Sequence, residues 1–452
     1  MENSNNLTTG SVPSKLLLFF FPMLLTNCLQ QMYAVADTAI VGRGIGDNAL
    51  GAVGNFATLS FFFIGFLMGI TNGFAVIIGQ NYGATEKELL KKAVAVSAEL
   101  SLVISLFLTA TGILVLKPAL LLMHTDQQIL HDSLVYGYII FGGLSVTVAF
   151  NLCSGILRSL GDSKTPFAAI AVSSVVNILL DYIFIFIIHT GVGGAATATV
   201  LSQGLSAAIC YIKIRRHSEL QIKLSDFKPD MEMSKLLVKN GIAMALMNSI
   251  TAAGSMVVQG YVNSYGVNFT SSYSVCTRYL NLFMLPSLTA GFTLSAFVSQ
   301  NFGAKHPKRI KEGVWVATWI VAASYITLGL IMIFLSKQLA DFMLNDNITI
   351  LLASQYLKIC GVFLILLNLL FVFRSAVQGM GYPLIPMISG IAEMVLRIAT
   401  IMLLIQNIGF QATAFADAVA WAGALSLNGS AFWVYYRKMV KAGISHSSDM
   451  SE

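Results

Sequence analysis

The chain has 452 residues, of which 56% are hydrophobic and only 11% are charged. A soluble globular protein carries about a quarter charged residues, so this composition excludes a soluble domain and predicts a membrane protein. The formal net charge of +6 comes without a nucleic-acid-binding motif, and we expect no nucleic acid partner.

Twelve apolar runs follow one another along the sequence, each long enough to cross a hydrocarbon core of roughly 30 Å as a helix. The segment before the first run lacks the basic and short apolar regions of a signal peptide, so we expect the first span to be retained. The predicted fold class is an all-α polytopic membrane protein with twelve transmembrane helices. The predicted spans cover residues 15–41, 49–79, 93–116, 133–158, 167–188, 193–214, 236–262, 269–299, 313–335, 350–377, 384–406 and 411–437.

The basic residues are distributed unevenly between the loops of the predicted topology. With the N-terminus inside, twenty Lys and Arg residues fall on the cytoplasmic side, and three, Arg43, Lys117 and Lys337, fall outside. Basic residues favour the cytoplasmic side of membrane proteins. The sequence therefore predicts a multi-pass protein of the inner (plasma) membrane with both termini in the cytoplasm.

Two nearly identical segments, QNYGATEKELLKK at 80–92 and QNFGAKHPKRIK at 300–311, stand 220 residues apart (300 − 80 = 220). The same offset relates Tyr136 to Tyr356. The constant offset predicts duplication of a six-helix unit, whose two copies are related by an axis along the membrane normal. The predicted division is an N-lobe at 1–214, a cytoplasmic linker at 215–235, a C-lobe at 236–440 and a polar tail at 441–452.

Each repeated segment ends an apolar span and opens a basic loop. Its glycine, Gly83 or Gly303, is predicted to serve as the helix C-cap. The basic residues that follow complement the helix dipole and anchor the loop on the cytoplasmic side. The motif is thus interpreted as structural.

Ionisable residues at membrane depth are costly and usually face a cavity, so they are the candidates for function. Gln30, Tyr33 and Asp37 recur at helical spacing in span 1 and share one face. Asn177 and Asp181 share a face of span 5 in the same way. Two neighbouring carboxyl groups in a poorly hydrated lumen can exchange protons near physiological pH. The alternative is that each is simply solvated near the membrane surface. Further candidates in the first half are Tyr136, Asn151 and Thr199.

The second half carries different charges at membrane depth. Glu393 and Arg397 are spaced i, i+4 in span 11, as in a helical ion pair, while Arg278 lies in span 8 and Asp417 in span 12. Mutual neutralisation that stabilises the C-lobe is one interpretation. A role of Arg278, Glu393 and Arg397 in substrate binding or gating is the other.

The chain resembles the multidrug and toxic compound extrusion (MATE) family. The resemblance covers roughly residues 13 to 440 and rests on PMLLTNCLQQMYAVADTAIVGR, NILLDYIFIF, GVGGAATAT, the paired QNYGA and QNFGA segments and the duplicated plan. Within the family the chain looks most like the DinF-like branch, whose functional carboxylates lie in the N-lobe. Spans 7 and 10 lack the acidic residues that the NorM-like branch carries there. A cation site in the C-lobe is therefore not expected.

The resemblance implies roles for the candidate residues of the first half. Asp37 and Asp181, with Asn177, would bind the coupling cation, either H⁺ or Na⁺, and no other metal or cofactor is implied. Pro22 would mark the position at which span 1 bends. The polar network and drug pocket would comprise Gln30, Tyr33, Tyr136, Asn151 and Thr199.

The expected function is cation-coupled antiport that exports lipophilic organic cations by alternating access, in a monomer embedded in the lipid bilayer. An enzyme is not expected, because paired acidic metal motifs and Ser, His and acid constellations are missing from the sequence. The alternatives are an exporter of an endogenous metabolite and a lipid-linked oligosaccharide flippase. A flippase needs a cationic lumen, for which Arg278, Arg374 and Arg397 are the candidates.

Overall fold

The helices of the protein coincide with the apolar runs of the sequence. The computed structural model describes residues 6–223, 226–228 and 230–448, and no strand occurs within these ranges. The remaining residues, which include parts of the predicted N-lobe, linker and tail, lie outside the described residues. The helices are α1 (Val12–Gly44), α2 (Asp47–Gly83), α3 (Lys87–Leu122), α4 (Gln127–Gly142), α5 (Leu144–Ser159), α6 (Lys164–Tyr182), α7 (Val192–Arg215), α8 (Met231–Asn263), α9 (Val267–Phe283), α10 (Leu285–Gly303), α11 (Pro307–Phe334), α12 (Ser336–Met343), α13 (Asn347–Gly379), α14 (Leu384–Ile408) and α15 (Gln411–Ser448).

Two of the twelve predicted spans are bent helix pairs. Nine helices of the described chain are long and apolar enough to cross a membrane singly, and the pairs α4–α5 and α9–α10, bent by 46° and 41°, add two spans. The twelfth predicted span, 411–437, lies within α15. Gly143 forms the first bend, where a β-carbon would lie 2.4 Å from the Val200 side chain. Pro286 starts α10 after the second bend, since proline is favoured in the first turn of a helix. The protein is thus an all-α membrane protein of twelve spans.

The internal duplication is visible in the backbone as well as in the sequence. Asp126 and Asp346, 220 residues apart, both cap the helix that follows, accepting hydrogen bonds from the amides of Gln128 and of Ile348. Residues with a positive φ also recur at this offset. This conformation is easiest for glycine and occurs where one helix ends and the next begins. The pairs are Gly46 and Gly266, Thr85 and Lys305, Gly161 and Gly381, and His189 and Gly409. The two halves are therefore copies of one six-helix plan.

The predicted glycine caps of the repeated QNYGA and QNFGA segments are wrong. Gly83 and Gly303 are the last residues of α2 and α10, and the left-handed residues are Thr85, with φ of 60°, and Lys305, with φ of 56°. The observed caps are Ala84 and Ala304, one residue later than predicted, because the amide of each still bonds to the last helical turn.

By packing, the described chain divides into two compact units within α1 and α8. The first unit comprises Phe21–Ala245; the second comprises Leu7–Phe20 and the residues from Leu246 onward. Each half thus receives the N-terminal part of the other half's first helix. The predicted lobe boundaries, which describe the duplicated segments, remain a prediction.

Small residues hold the first part of α8 within the first unit. A β-carbon on Gly69 of α2 would lie 2.4 Å from the Ala245 backbone, and one on Gly73 would lie 2.6 Å from Gly241. Such close approach of two backbones is typical of glycine-mediated helix packing in membranes. Replacing either glycine would push α2 and α8 apart.

Polar side chains from the second repeated segment fix the N-terminal strap, residues 7–10, to the second unit. The Leu7 amide donates to Gln300 Oε1 at 3.0 Å, and Asn301 Nδ2 donates to the Leu7 carbonyl at 3.2 Å. Arg309 donates to the carbonyls of Leu7 at 3.0 Å and Gly10 at 2.8 Å. The QNFGA motif therefore anchors the segment that leads into α1.

Candidate functional site

The polar face of α1 lies against α7 in the first unit. Asp37 is only 8% exposed, which does not fit the alternative that it is solvated. Tyr33, one turn earlier, lies with its hydroxyl 3.3 Å from Thr199 Oγ1. Gln30, the third member of the predicted face, is exposed. The face therefore brings a carboxyl group and a phenol into the helix bundle and leaves the amide outside it.

Asp181 occupies the last turn of α6 and is fully buried. A π-helical turn, Ile183–Ile187, follows at once; such turns are frequent at functional sites. With its amide nitrogen facing the carboxylate, Asn177 donates to Asp181 Oδ2 at 2.9 Å and accepts from the Thr199 amide at 3.3 Å. The predicted pair on α6 is thus connected to α7 through the same residue that contacts Tyr33.

The two carboxyl groups of the first unit lie next to each other. Asp37 and Asp181 lie within hydrogen-bonding reach of each other. Oδ1 of each is buried and has no hydrogen-bond partner among the described residues, and no ion pair of the described chain includes either residue. A buried carboxylate without a counter-charge is costly. The arrangement is therefore suited to bind a proton or a small cation.

A cavity of about 140 Å³ in the first unit is lined by Thr199, the residue that contacts Tyr33 and Asn177, and not by the two carboxyl groups themselves. Tyr136 and Thr199 line it, as do Thr147 and Gln203, which are hydrogen-bonded to each other. Asn151 turns away, and its amide donates to the Thr147 carbonyl of its own helix at 2.9 Å. Sequence reasoning missed Thr147 and Gln203. The spacing of Gln203, four residues after Thr199 in an apolar helix, could have indicated it.

Pro22 lies next to the point at which α1 passes from the second unit to the first, between Phe20 and Phe21. The helix is continuous through the proline. The Pro22 carbonyl accepts a hydrogen bond from Thr26 Oγ1 at 2.7 Å. Proline removes one backbone hydrogen bond from a helix, which weakens α1 at this junction.

The buried charged side chains of α13, α14 and α15 form one connected network in the second unit. Glu393 accepts from Arg374 at 2.7 Å and from Arg397 at 3.0 Å, so the predicted i, i+4 pair is present. Arg397 Nε lies 2.8 Å from Asp417 Oδ1, and the Tyr356 hydroxyl donates to Asp417 Oδ2 at 2.5 Å. All five side chains are buried. Two arginines and two carboxylates balance each other, as the structural interpretation requires.

The remaining candidate cation, Arg278 of α9, is exposed. Arg374 and Arg397, the other candidates for a cationic lumen, are both committed to carboxylates. Within the described ranges, no three His, Cys, Asp or Glu side chains come together as a metal centre would require. Of the three candidate arginines, none is therefore both buried and free of a carboxylate partner.

Comparison with known proteins adds independent information on the family. A family model described as MatE matches residues 22–183 and 243–403, once in each half. Over 361 residues the chain is 31% identical to the probable multidrug resistance protein YoeA of Bacillus subtilis, covering 77% of both chains. It is 24% identical to the probable multidrug resistance protein NorM of Thermotoga maritima, covering 85% of this chain and 84% of that one. It is 21% identical to a protein named FAD transporter from Shewanella oneidensis, covering 88% of both.

Solved structures share the fold over nearly the whole chain. One is described as MATE in the bent conformation; it covers 98% of this chain and 99% of its own, with a TM-score of 0.92 and 21% identity. Another, described as the outward-facing conformation of a multidrug resistance MATE family transporter of the MOP superfamily, has a TM-score of 0.89 and 22% identity over 98% of this chain and 99% of its own. The predicted DinF-like branch remains a prediction.

Proposed function

Because the chain belongs to the MatE family, whose members are transporters, we propose that it is a cation-coupled antiporter that exports lipophilic organic cations by alternating access. The supporting observation is the buried pair Asp37 and Asp181, which has no ion-pair partner among the described residues. The relatives from Bacillus subtilis and Thermotoga maritima carry names that refer to multidrug resistance.

The coupling ion is H⁺ or Na⁺. Two carboxyl groups within hydrogen-bonding reach favour a proton, because one shared proton removes the repulsion between like charges. Sodium would need several hard oxygen ligands at once. The free Oδ1 atoms of Asp37 and Asp181 could provide two of them, and the Thr199 hydroxyl lies nearby.

Transport then follows because the outward-facing and inward-facing conformations bind the coupling cation and the substrate with different affinities. In the outward-facing state, ionised Asp37 and Asp181 accept the cation from outside. Their neutralisation lets α1 repack, with the weakened junction at Pro22 as the point of bending, and the substrate is expelled. The inward-facing state releases the cation and accepts a new substrate from the cytoplasm or the inner leaflet. A ligand drives such a cycle only by binding the two states differently.

The location and state of assembly are part of the proposal. The basic residues on one side of the membrane support an inner-membrane protein with both termini in the cytoplasm, and we propose that the monomer is the transporting unit. The charge of the first unit opposes the flippase alternative, because two carboxylates repel a pyrophosphate.

The decisive experiment measures uptake of a fluorescent organic cation into everted membrane vesicles, with a pH gradient and a sodium gradient imposed separately. We expect one gradient alone to drive uptake, and the pH gradient to be the effective one. Vesicles containing Asp37→Asn at equal abundance serve as the control and should not respond.

The possible outcomes separate the alternatives. Uptake driven by sodium alone would assign Na⁺ as the coupling ion. Uptake that ignores both gradients would contradict antiport. A protein that transports a flavin dinucleotide but no organic cation would belong with exporters of endogenous metabolites, as the name of the Shewanella oneidensis relative suggests for that protein.

A further inference from the structure

An apolar groove on the second unit has a basic side chain at one end. The groove, which we call the α11–α15 groove, has a volume of about 210 Å³. Its walls come from α11, α13 and α15 and include Trp315, Phe373, Phe432 and Trp433. Lys311, in the first turns of α11, lines its end. The groove therefore combines an aromatic wall with a single basic group.

Lys311 is available for a ligand, whereas its basic neighbour is not. Arg309 donates to the N-terminal strap and interacts with Glu312. Lys311 is exposed and forms no ion pair or hydrogen bond with any residue that the structure describes. Arg437, one turn beyond Trp433 on α15, is exposed on the same helix. Lys311 and Arg437 thus place two basic side chains on the helices that form the groove.

The first half does not repeat the residues that line the groove, although it shares the fold. The counterpart of Lys311 is Lys91 (311 − 220 = 91), which pairs with Glu88 at 3.2 Å. The aromatic wall is also missing, because the residues 220 positions before Trp315, Phe373 and Trp433 are different. They are Ala95, Cys153 and Lys213. The combination of an aromatic wall with an unpaired lysine is therefore particular to the second half.

We propose that the α11–α15 groove binds an anionic phospholipid, with the phosphate on Lys311 and an acyl chain along the aromatic wall. Basic pockets between transmembrane helices suit anionic headgroups. Indole rings are favoured at the membrane interface, where the apolar ring contacts the chain and the N–H donates to the polar region. The proposal does not depend on which molecule the protein transports.

Lipid binding can be measured through the tryptophans that form the groove. The chain has four tryptophans; Trp421 is buried, and Trp319 is exposed outside the groove. In a Trp319→Phe background, the accessible indoles are Trp315 and Trp433. The purified full-length protein is reconstituted into phosphatidylcholine bilayers with increasing fractions of dibrominated phosphatidylglycerol or dibrominated phosphatidylcholine, which quench indole fluorescence on contact.

We expect brominated phosphatidylglycerol to quench at lower mole fractions, with a relative affinity roughly fivefold above phosphatidylcholine. Lys311→Gln should reduce this ratio to about one, and Lys311→Arg should keep it. Lys91→Gln, the matched change in the first half, should leave it unaltered. An equal ratio in the wild type and Lys311→Gln, or an equal loss in Lys91→Gln, would overturn the proposal in favour of general attraction of anionic lipids.

Discussion

Asn177 and Arg397 occupy the same position in the two halves (397 − 177 = 220), yet only Arg397 brings a charge to the carboxylates beside it. Arg397 forms ion pairs with Glu393 and Asp417. Asn177 offers Asp181 a neutral amide instead. At this helical position, the second unit thus has an arginine that neutralises its carboxylates, whereas the first unit has a neutral amide and its carboxylates have no basic side chain beside them among the described residues.

The tyrosines of the two halves show the same relationship. Tyr136 and Tyr356 are also 220 residues apart (356 − 136 = 220). Tyr356 is fully buried and donates to Asp417, whereas Tyr136 lines the cavity of the first unit. The network of the second unit is closed, and the corresponding region of the first unit has room for a ligand.

The carboxyl pair leads to the first prediction. Asp37→Asn and Asp181→Asn should each abolish efflux of an organic cation, because an amide cannot take up the coupling cation, while both variants remain folded and inserted. Asp47→Asn, which removes an exposed carboxylate from the first turn of α2, should leave efflux unchanged. Drug resistance and protein abundance in expressing cells measure these effects. Normal resistance in either buried variant would contradict the assignment to the first unit.

The second prediction concerns the charge network of α13, α14 and α15. Glu393→Gln should lower the melting temperature of the detergent-purified protein, because an uncompensated buried charge costs about 3–5 kcal/mol. Adding Arg374→Gln should restore much of the loss, since the Arg397–Asp417 pair then stands alone and balanced.

A different second substitution serves as the control for this prediction. Glu393→Gln with Arg397→Met leaves Arg374 and Asp417 without their ion-pair partners, so it should be less stable than the combination with Arg374→Gln. Lys337→Gln, at an exposed site, should have no effect on the melting temperature. A network variant that keeps its stability but loses transport would place these residues in the substrate path.

The third prediction concerns α1. Pro22→Ala restores a backbone donor and favours a straight helix by up to about 3 kcal/mol, so efflux should slow while cation binding to the carboxyl pair survives. Pro118→Ala is the matched control, because Pro118 also lies inside a long helix, α3, away from the unit boundary. Spin labels on α1 and α6 would measure the conformational change. A full distance change at the wild-type transport rate would exclude bending of α1 as the coupling step.

The fourth prediction concerns the N-terminal strap. Arg309→Gln removes donors to the carbonyls of Leu7 and Gly10, and hydrogen bonds to charged groups contribute about 1.5–3 kcal/mol each. Amide hydrogen exchange of residues 7–10 should therefore accelerate by about tenfold or more. Lys308→Gln, at the neighbouring exposed position, should not change the exchange rate. Unaltered exchange in Arg309→Gln would show that Gln300 and Asn301 suffice to anchor the strap.

Much of the helical plan could be predicted from hydropathy, because each span is long and apolar. The bends could not, since the composition around Gly143 and Met284 remains apolar through each break. The repeat at an offset of 220 correctly predicted the duplication. It could not predict that the first helix of each half is divided between two compact units, because sequence similarity carries no information on packing partners.

The carboxyl groups of the candidate site were predictable, and their partners only partly. Asn177 and Asp181 share a helix, so their spacing alone indicated the contact. Arg374 and Glu393 lie on different helices, 19 residues apart along the chain, and only the crossing of α13 and α14 brings them together. Long-range pairs of this kind depend on tertiary packing.

The N-terminal strap links the order of synthesis to the order of folding. Leu7 bonds to Gln300, which lies 293 residues later in the chain. At the usual 5–20 residues per second, the ribosome therefore works for roughly 15–60 s before the strap meets its partner. Neither compact unit is built from one half of the sequence alone, because each contains the start of the other half's first helix. If the chain were cut between its halves, both fragments would therefore have to be present together before either compact unit could complete its packing.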